Sequence, residues 1–253
     1  MVEDYKSRYG ARPSTQTAAE VDEGLRAYML TVYNYMASAL VLTGLMAYVT
    51  ANVPALYTLL YTFASAPDGT VHLTGQTMLG MIVMFAPLGL VFFLSFRINH
   101  MQASTAQMVF WIYAGLVGMA IASILFVYTG TSIAKTFFVT AAAFGSLSLY
   151  GYTTKRNLTG MGSFLMMGLF GIIIASIVNM FLHSGMMDFI ISVGGVLIFA
   201  GLTAYDTQKI KLMYLQDDGH EMAKKKAIMG ALSLYLDFLN MFLFLLRFMG
   251  NRN

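Results

Sequence analysis

Residues 201–240 read GLTAYDTQKIKLMYLQDDGHEMAKKKAIMGALSLYLDFLN. The stretch contains the end of one long apolar run, a loop rich in lysine, and the start of a second apolar run. Asp206 and Asp237 each lie inside an apolar run, whereas every other one of the twelve acidic residues lies in the N-terminal tail, in a loop or at the end of a run. Both the fold and the candidate site are predicted from this arrangement.

The composition of the chain is that of an integral membrane protein. Hydrophobic residues make up 58% of the 253 residues and charged residues only 11%, against roughly a quarter charged in soluble domains. The chain has no cysteine, which excludes disulfides, a thiolate nucleophile and cysteine-ligated metal sites. The net charge of +3 comes from basic residues concentrated in a few loops, so we expect no nucleic-acid partner.

Seven apolar runs are long enough to cross a hydrocarbon layer of about 30 Å. They lie near residues 27–49, 78–97, 107–128, 134–153, 162–182, 187–208 and 228–248. Because most connections are short, consecutive helices must be antiparallel neighbours. The sequence therefore predicts an all-α integral membrane protein with one seven-helix bundle over residues 26–250.

Two segments outside the seven runs are polar. Residues 1–25 lack the apolar core of a signal peptide and are predicted to form a cytoplasmic polar tail. A short surface helix is expected near residues 21–26. The longest connection within the bundle, residues 50–77, contains no Lys or Arg and is expected to include a short interfacial helix.

The basic residues predict the orientation of the bundle. Twelve of the fifteen fall on one side of an alternating seven-span arrangement. These twelve are Lys6, Arg8, Arg12, Arg26, Arg97, Lys155, Arg156, Lys209, Lys211, Lys224, Lys225 and Lys226. Short loops rich in Lys and Arg stay in the cytoplasm. The N-terminus is therefore predicted to be cytoplasmic and the C-terminus to lie opposite, unless the last run is re-entrant.

Asp206 and Asp237 are the main candidates for function, because an ionisable group inside hydrocarbon is costly and normally faces a bundle interior or a water cavity. If helix six reaches the surface near Tyr214 and helix seven leaves it near Ile228, both carboxyls lie roughly 12–14 Å deep. Two close carboxyls in a low dielectric cannot both ionise at low cost, so we expect them to share a proton. This predicts a pH-sensitive latch between the two helices, and the alternative is a neutral clasp that only fixes packing.

Three further polar residues are candidates for the same pathway. Arg97 ends helix two on the same side and is a possible latch toward Asp206, with an ordinary positive-inside anchor as the alternative. Asn240 lies one helical turn from Asp237, and Asn179 lies in helix five. Either amide could line a path or simply form a hydrogen bond with a neighbouring helix. Loss of the shared proton would add charge that separates helices six and seven or attracts a cation.

Known types of catalytic site find little support. The four histidines are scattered without HExxH spacing, so neither a zinc site nor any other cofactor is expected. Ser146 and Ser148 lack the GxSG context of a rhomboid-type protease. An intramembrane aspartyl protease of the presenilin class remains a minor alternative, but the residues before Asp237 are Leu, Tyr and Leu rather than the required GxG. We therefore expect the protein not to be an enzyme.

The order of several segments resembles the Bax inhibitor-1 family, also known as the transmembrane Bax inhibitor motif-containing family, in its bacterial form. The most specific segments are IFAGLTAYDTQKIK at 198–211 and ALSLYLDFLNMFLFLLRFMG at 231–250. Supporting segments are FRINHM at 96–101, the stretch 128–169, and SIVNMFL at 176–182. The resemblance covers nearly the whole predicted bundle.

The resemblance implies a seven-helix bundle with the seventh helix at its centre, in a bacterial inner membrane. It matches Asp206 and Asp237 to an aspartate pair in a family associated with pH-sensitive calcium leak. It also matches Arg97 to a basic position that latches onto the helix-six aspartate. The implied partners are the lipid bilayer, Ca²⁺ or another cation, and, for bacterial relatives, a membrane-bound ATP-dependent protease that the protein modulates.

Two observations qualify these implications. Ca²⁺ usually takes six to eight oxygen ligands, so Asp206, Asp237 and Asn240 would hold it only weakly and transiently. Some family members carry a carboxylate in helix two, where this chain reads MFAPLGLVFF at 84–93. No third acidic group is therefore expected in the pathway, and Pro87 predicts a kink in helix two.

Overall fold

A computed structural model describes residues 18–65 and 71–252 of the chain. Residues 1–17 of the predicted tail lie outside this range, as do Pro67, Asp68 and Gly69. The helices are α1 (Ala18–Asn52), α2 (Pro54–Leu60), α3 (Met78–Arg97), α4 (Ala103–Ile121), α5 (Ile124–Val127), α6 (Gly130–Thr153), α7 (Thr159–Leu182), α8 (Gly185–Met213) and α9 (His220–Met249). The strands are β1 (Tyr61–Ser65) and β2 (Val71–Gln76).

Seven of the helical segments are long and apolar enough to cross a membrane, as the sequence predicts. The connections that follow α3, α6 and α8 lie at one end of the bundle, called the basic end below, where Ala103 N–H donates to Glu221 and Leu158 N–H donates to Gln208. The structure differs at the start of the chain, where α1 is already helical from Ala18. The expected surface helix near residues 21–26 is therefore the beginning of α1 and not a separate element.

The last helix, α9, is the centre of the bundle. It packs against α8, α1, α6 and α4, and it is far more buried than any other span. Its Tyr235 is fully buried, and the Tyr235 hydroxyl lies 2.7 Å from Thr43 Oγ1 of α1. Thr43 in turn donates to the Ala114 carbonyl of α4 at 2.9 Å. The central position implied by the family resemblance is confirmed, and these bonds satisfy polar groups that would be costly to leave unpaired in the core.

The helices α7 and α3 lie at the periphery. The α7 helix packs on α8 and is apolar all round, which suits a helix exposed mainly to lipid. The α3 helix packs on α4 and runs through Pro87 as one helix to Arg97. Peripheral helices need few polar contacts because the lipid tails themselves cover their apolar side chains.

The end opposite the basic end contains elements that the sequence predicts only in part. The expected interfacial helix is α2, which begins at Pro54, a residue favoured in the first helical turn. A β1–β2 hairpin follows it and was not predicted. The Tyr61 hydroxyl anchors the hairpin by donating to the Met119 carbonyl at 2.7 Å. The rings of Tyr57, Phe63 and Phe126 pack edge to face beside it.

The α9 helix runs the full length of α8 in the opposite direction. At the basic end Lys226 Nζ of α9 donates to the Met213 carbonyl at the end of α8 at 3.0 Å. At the other end Arg247 lies 3.4 Å from Asp188 in the first turn of α8. The residues after α9 then contact the start of α6, where Thr129 N–H donates to the Asn251 carbonyl at 3.1 Å. The last helix therefore crosses the whole bundle and does not fold back.

Candidate functional site

The two intramembrane aspartates meet between α8 and α9. Asp206 projects from α8 and Asp237 from α9, and their carboxyl groups lie close enough to interact directly. Two glycines allow the helices to approach closely on either side of this contact. A Cβ added at Gly195 of α8 would lie 2.6 Å from the Phe244 ring of α9, and one at Gly230 of α9 would lie 3.0 Å from Ile210 of α8. Close packing therefore fixes the spacing of the two carboxyls.

The surroundings of the pair favour a shared proton. The Asp237 residue is only 4% exposed, and its Oδ2 atom receives no hydrogen bond from a donor among the described residues. Two ionised carboxylates offer only acceptors, so a hydrogen bond between them requires a proton on one of the two. The nearest cation along α8 is Lys209, which is exposed and lies 5.9 Å from the Tyr205 ring centroid. The structure thus brings together the two residues that the sequence predicts as a pair.

A cavity of about 510 Å³ opens beside the pair, between α7, α8 and α9. Asp206, Asp237 and Asn240 line it together with Ser233, and its remaining walls are almost entirely apolar. Asn240 donates its amide nitrogen to the Leu236 carbonyl at 2.8 Å, which leaves its amide oxygen as the group available to a ligand. The cavity has a size typical of small-ligand sites, and its polar groups converge on one wall.

Two of the predicted site residues lie elsewhere. Arg97 is exposed at the end of α3 and forms no ion pair with Asp206 in this structure. Asn179 does not line the cavity, and its Oδ1 accepts the backbone N–H of Ser184 at 3.0 Å in the turn between α7 and α8. Asn179 therefore takes the second role open to it, that of a local hydrogen-bonding group. Arg97 as a latch remains a prediction for another state of the protein.

The structure adds a chain of hydroxyl groups that the sequence analysis missed. The Tyr33 hydroxyl of α1 lies 2.6 Å from Ser148 Oγ of α6, which lies 2.9 Å from Thr207 Oγ1 of α8. Thr207 donates to the Thr203 carbonyl at 2.7 Å. Because Thr207 donates its proton to Thr203, Ser148 donates to Thr207 and accepts from Tyr33. The signal of this hydroxyl chain in the sequence is the polar cluster TAYDTQ at residues 203–208, of which only the aspartate was singled out.

A second group of contacts fixes the basic end of α8. Gln208 accepts the Leu158 backbone N–H at 2.8 Å and donates to the Arg156 carbonyl at 2.8 Å. Lys211 donates to the Tyr152 carbonyl at 2.7 Å. Within the described residues, no group of three or more His, Asp or Glu side chains could hold a metal ion. Any cation at the aspartate pair would therefore depend on water for most of its ligands.

Comparisons with known proteins agree with this architecture. The family model described as "Inhibitor of apoptosis-promoting Bax1" matches residues 25–253. The uncharacterized protein RP147 of Rickettsia prowazekii is 52% identical over 231 residues, covering 91% of this chain and 92% of the relative. The inner membrane protein YbhL of Escherichia coli is 44% identical over 242 residues, covering 95% and 98%. An uncharacterized membrane protein of Streptococcus pyogenes, SpyM3_0260, is 35% identical over 232 residues, covering 92% and 96%.

Proposed function

Since this chain belongs to the Bax inhibitor-1 family, we propose that it is a pH-sensitive cation leak channel or regulator of a bacterial inner membrane, with Ca²⁺ as the favoured ion. The observation that carries the proposal is the contact between Asp206 and Asp237 beside an intramembrane cavity. The pair is the gate, and the cavity is part of the pathway.

The chemistry of the pair gives the direction of gating. One proton holds the two carboxyls together, so a fall in proton concentration removes the bond and leaves two negative charges in a low-dielectric site. The resulting repulsion is relieved when α8 and α9 separate or when a cation enters. Opening therefore releases a proton, and the leak increases as pH rises.

The ligands at the pair favour passage of a cation over storage. Asp206, Asp237 and the amide oxygen of Asn240 supply far fewer than the six to eight oxygens that Ca²⁺ usually takes. Water in the cavity would supply the others. A site completed by water binds weakly and releases its ion quickly, as conduction requires.

Flux measurements on reconstituted protein test the proposal. Ca²⁺ entry into liposomes is measured at pH 6, 7 and 8 for the wild type, Asp206→Asn and Asp237→Asn. Each substitution is expected to abolish the pH dependence, because an amide keeps a hydrogen bond to its partner without a titrating proton. Asp188→Asn is the matched control, since Asp188 lies on the same helix in an exposed ion pair. A pH-dependent flux that survives in both site variants would refute the gate.

The alternative function is modulation of a membrane partner, such as a membrane-bound ATP-dependent protease. Lys224 and Lys225 at the basic end form no ion pair with a described residue and are free to bind an acidic surface. Deleting residues 1–17 and, separately, replacing both lysines with Gln tests this role by co-purification from membranes. Loss of a partner with unchanged Ca²⁺ flux would favour the regulator.

We propose no enzymatic role for the pair. Aspartic proteases also hold two carboxyls about 3 Å apart around one shared proton, so it is the sequence around the pair that disfavours proteolysis. The residues before Asp237 are Leu, Tyr and Leu rather than the GxG of that protease class, and Asp237 is only 4% exposed between α8 and α9. Cleavage of a membrane-embedded reporter peptide that stops in both aspartate variants would overturn this conclusion.

A further inference from the structure

We infer that a groove between α1 and α6 at the basic end binds one phospholipid with a zwitterionic amine headgroup, of the phosphatidylethanolamine class. An acyl chain occupies the groove, and the headgroup lies at its mouth beside Arg26 and Lys211. This site is separate from the aspartate pair, which faces the cavity between α7, α8 and α9.

The groove exists because α1 and α6 are held apart over part of their length. A cavity of about 480 Å³ separates them, with Met29 and Leu30 on the α1 side and Phe144 and Leu149 on the α6 side. Its walls are almost entirely apolar. The hydrogen bond between the Tyr33 hydroxyl and Ser148 spans the two helices and satisfies both polar groups. A groove of this kind, open to hydrocarbon, is suited to an alkyl chain.

Gly145 leaves the wall of the groove open. A Cβ built on Gly145 would have no atom within 4 Å, and the residue is exposed on α6. Small residues in membrane helices commonly permit close helix packing. Among the described residues, no helix packs against Gly145. The absence of a side chain there instead enlarges the groove.

The mouth of the groove carries balanced charge. A second cavity, of about 640 Å³, shares Arg26 with the groove and is also lined by Asp22, Glu23 and Lys211. Lys211 uses one N–H for the Tyr152 carbonyl, which leaves two for a ligand. Two cations and two carboxylates therefore face the same space, within reach of a lipid headgroup.

This balance selects among lipid headgroups. Basic pockets between membrane helices bind lipid phosphates, and Arg26 and Lys211 supply that function here. Asp22 and Glu23 match the ammonium group of an ethanolamine headgroup. An anionic headgroup would satisfy the cations but would leave both carboxylates without a partner. Charge complementarity thus favours the zwitterionic lipid over phosphatidylglycerol.

Native mass spectrometry of the full chain tests the groove. The protein is presented in mild detergent with equal amounts of phosphatidylethanolamine and phosphatidylglycerol. The wild type is expected to retain one phosphatidylethanolamine with a preference of about tenfold, since one charge-assisted hydrogen bond corresponds to roughly that factor. Gly145→Leu fills the groove and abolishes retention. Gly171→Leu is the matched control, because Gly171 on α7 also has no atom within 4 Å of an added Cβ.

Charge variants at the mouth test the headgroup independently of the groove. Replacing Asp22 with Asn and Glu23 with Gln, both exposed, is expected to reverse the preference toward phosphatidylglycerol. Arg26→Gln is expected to weaken retention of both lipids. Equal retention of the two lipids by the wild type, unchanged binding in Gly145→Leu, or a second copy of the chain in place of lipid would each overturn the inference.

Discussion

Helices α8 and α9 accommodate a charged group near each end, and the two ends do so in opposite ways. Near the basic end, Asp206 meets the like group Asp237 inside the bundle. At the other end, Asp188 meets the opposite charge of Arg247 at 3.4 Å, and both side chains are at least 40% exposed. An exposed ion pair is screened by water and contributes little. The buried pair cannot rely on water, so its stability depends on a proton, and this makes it the end that responds to pH.

The largest expected effect comes from removing the proton dependence of the buried pair. If the folded contact holds one proton that the unfolded chain releases, stability falls as pH rises, by up to about 1.4 kcal/mol per pH unit. Asp237→Asn is expected to abolish this slope. The measurement is the midpoint of SDS-induced unfolding in detergent between pH 6 and 8. An identical slope in wild type and variant would remove the distinction between the two ends.

A bulky side chain placed between α8 and α9 is expected to have the next largest effect. Gly195→Leu forces a side chain into the Phe244 ring and should cost about 1–3 kcal/mol of stability. Because it pushes α8 from α9, it should also raise Ca²⁺ flux at pH 6. Gly185→Leu, at a position with no atom within 4 Å of an added Cβ, is the control and should change neither quantity. Equal effects of both substitutions would show that close packing does not hold the pair.

A partly buried ion pair at the basic end gives an intermediate case. Lys226 Nζ lies 2.5 Å from Asp218 and also donates to the Met213 carbonyl at the end of α8. Asp218→Asn is expected to cost about 1 kcal/mol, the usual value of one internal hydrogen bond. Unfolding measured at low and high salt should show only a modest salt effect. A loss above roughly 3 kcal/mol would mean that the loop, and not the pair, controls this end.

The smallest effect is expected at the exposed pair. Arg247→Gln and Asp188→Asn should each change stability by less than about 0.5 kcal/mol, and high salt should erase the difference from wild type. A double-mutant cycle on these two residues measures their coupling directly. A coupling as large as that of the aspartate pair would contradict the contrast between screened and buried charge.

The sequence predicts the features that depend on one property of one segment. Seven spans follow from run length, and the aspartate pair follows from the cost of charge in hydrocarbon together with matched depth. Asp206 and Asp237 lie on consecutive antiparallel helices, so their meeting needs no knowledge of the remaining bundle. The seven spans are confirmed, while the functional role of the pair stays a prediction.

Features that depend on the packing of distant helices could not be predicted in this way. Arg97 lies at the predicted end of its helix, but α3 packs on α4, and nothing in the local sequence states which helix it adjoins. Asn179 was equally compatible with a pathway and with a local hydrogen bond. The β1–β2 hairpin was missed because its strands have five and six residues and their apolar alternation is too short to stand out.

The hydroxyl chain from Tyr33 through Ser148 to Thr207 has a mechanical consequence for α8. Residues 206 and 207 are successive on the helix and point about 100° apart. A rotation of α8 that withdraws Asp206 from α9 must also swing Thr207 relative to α6. Such a rotation must therefore also break or strain the Ser148–Thr207 hydrogen bond. The lipid-facing groove, whose wall includes Tyr33 and Ser148, is thereby connected to the acidic pair through α8.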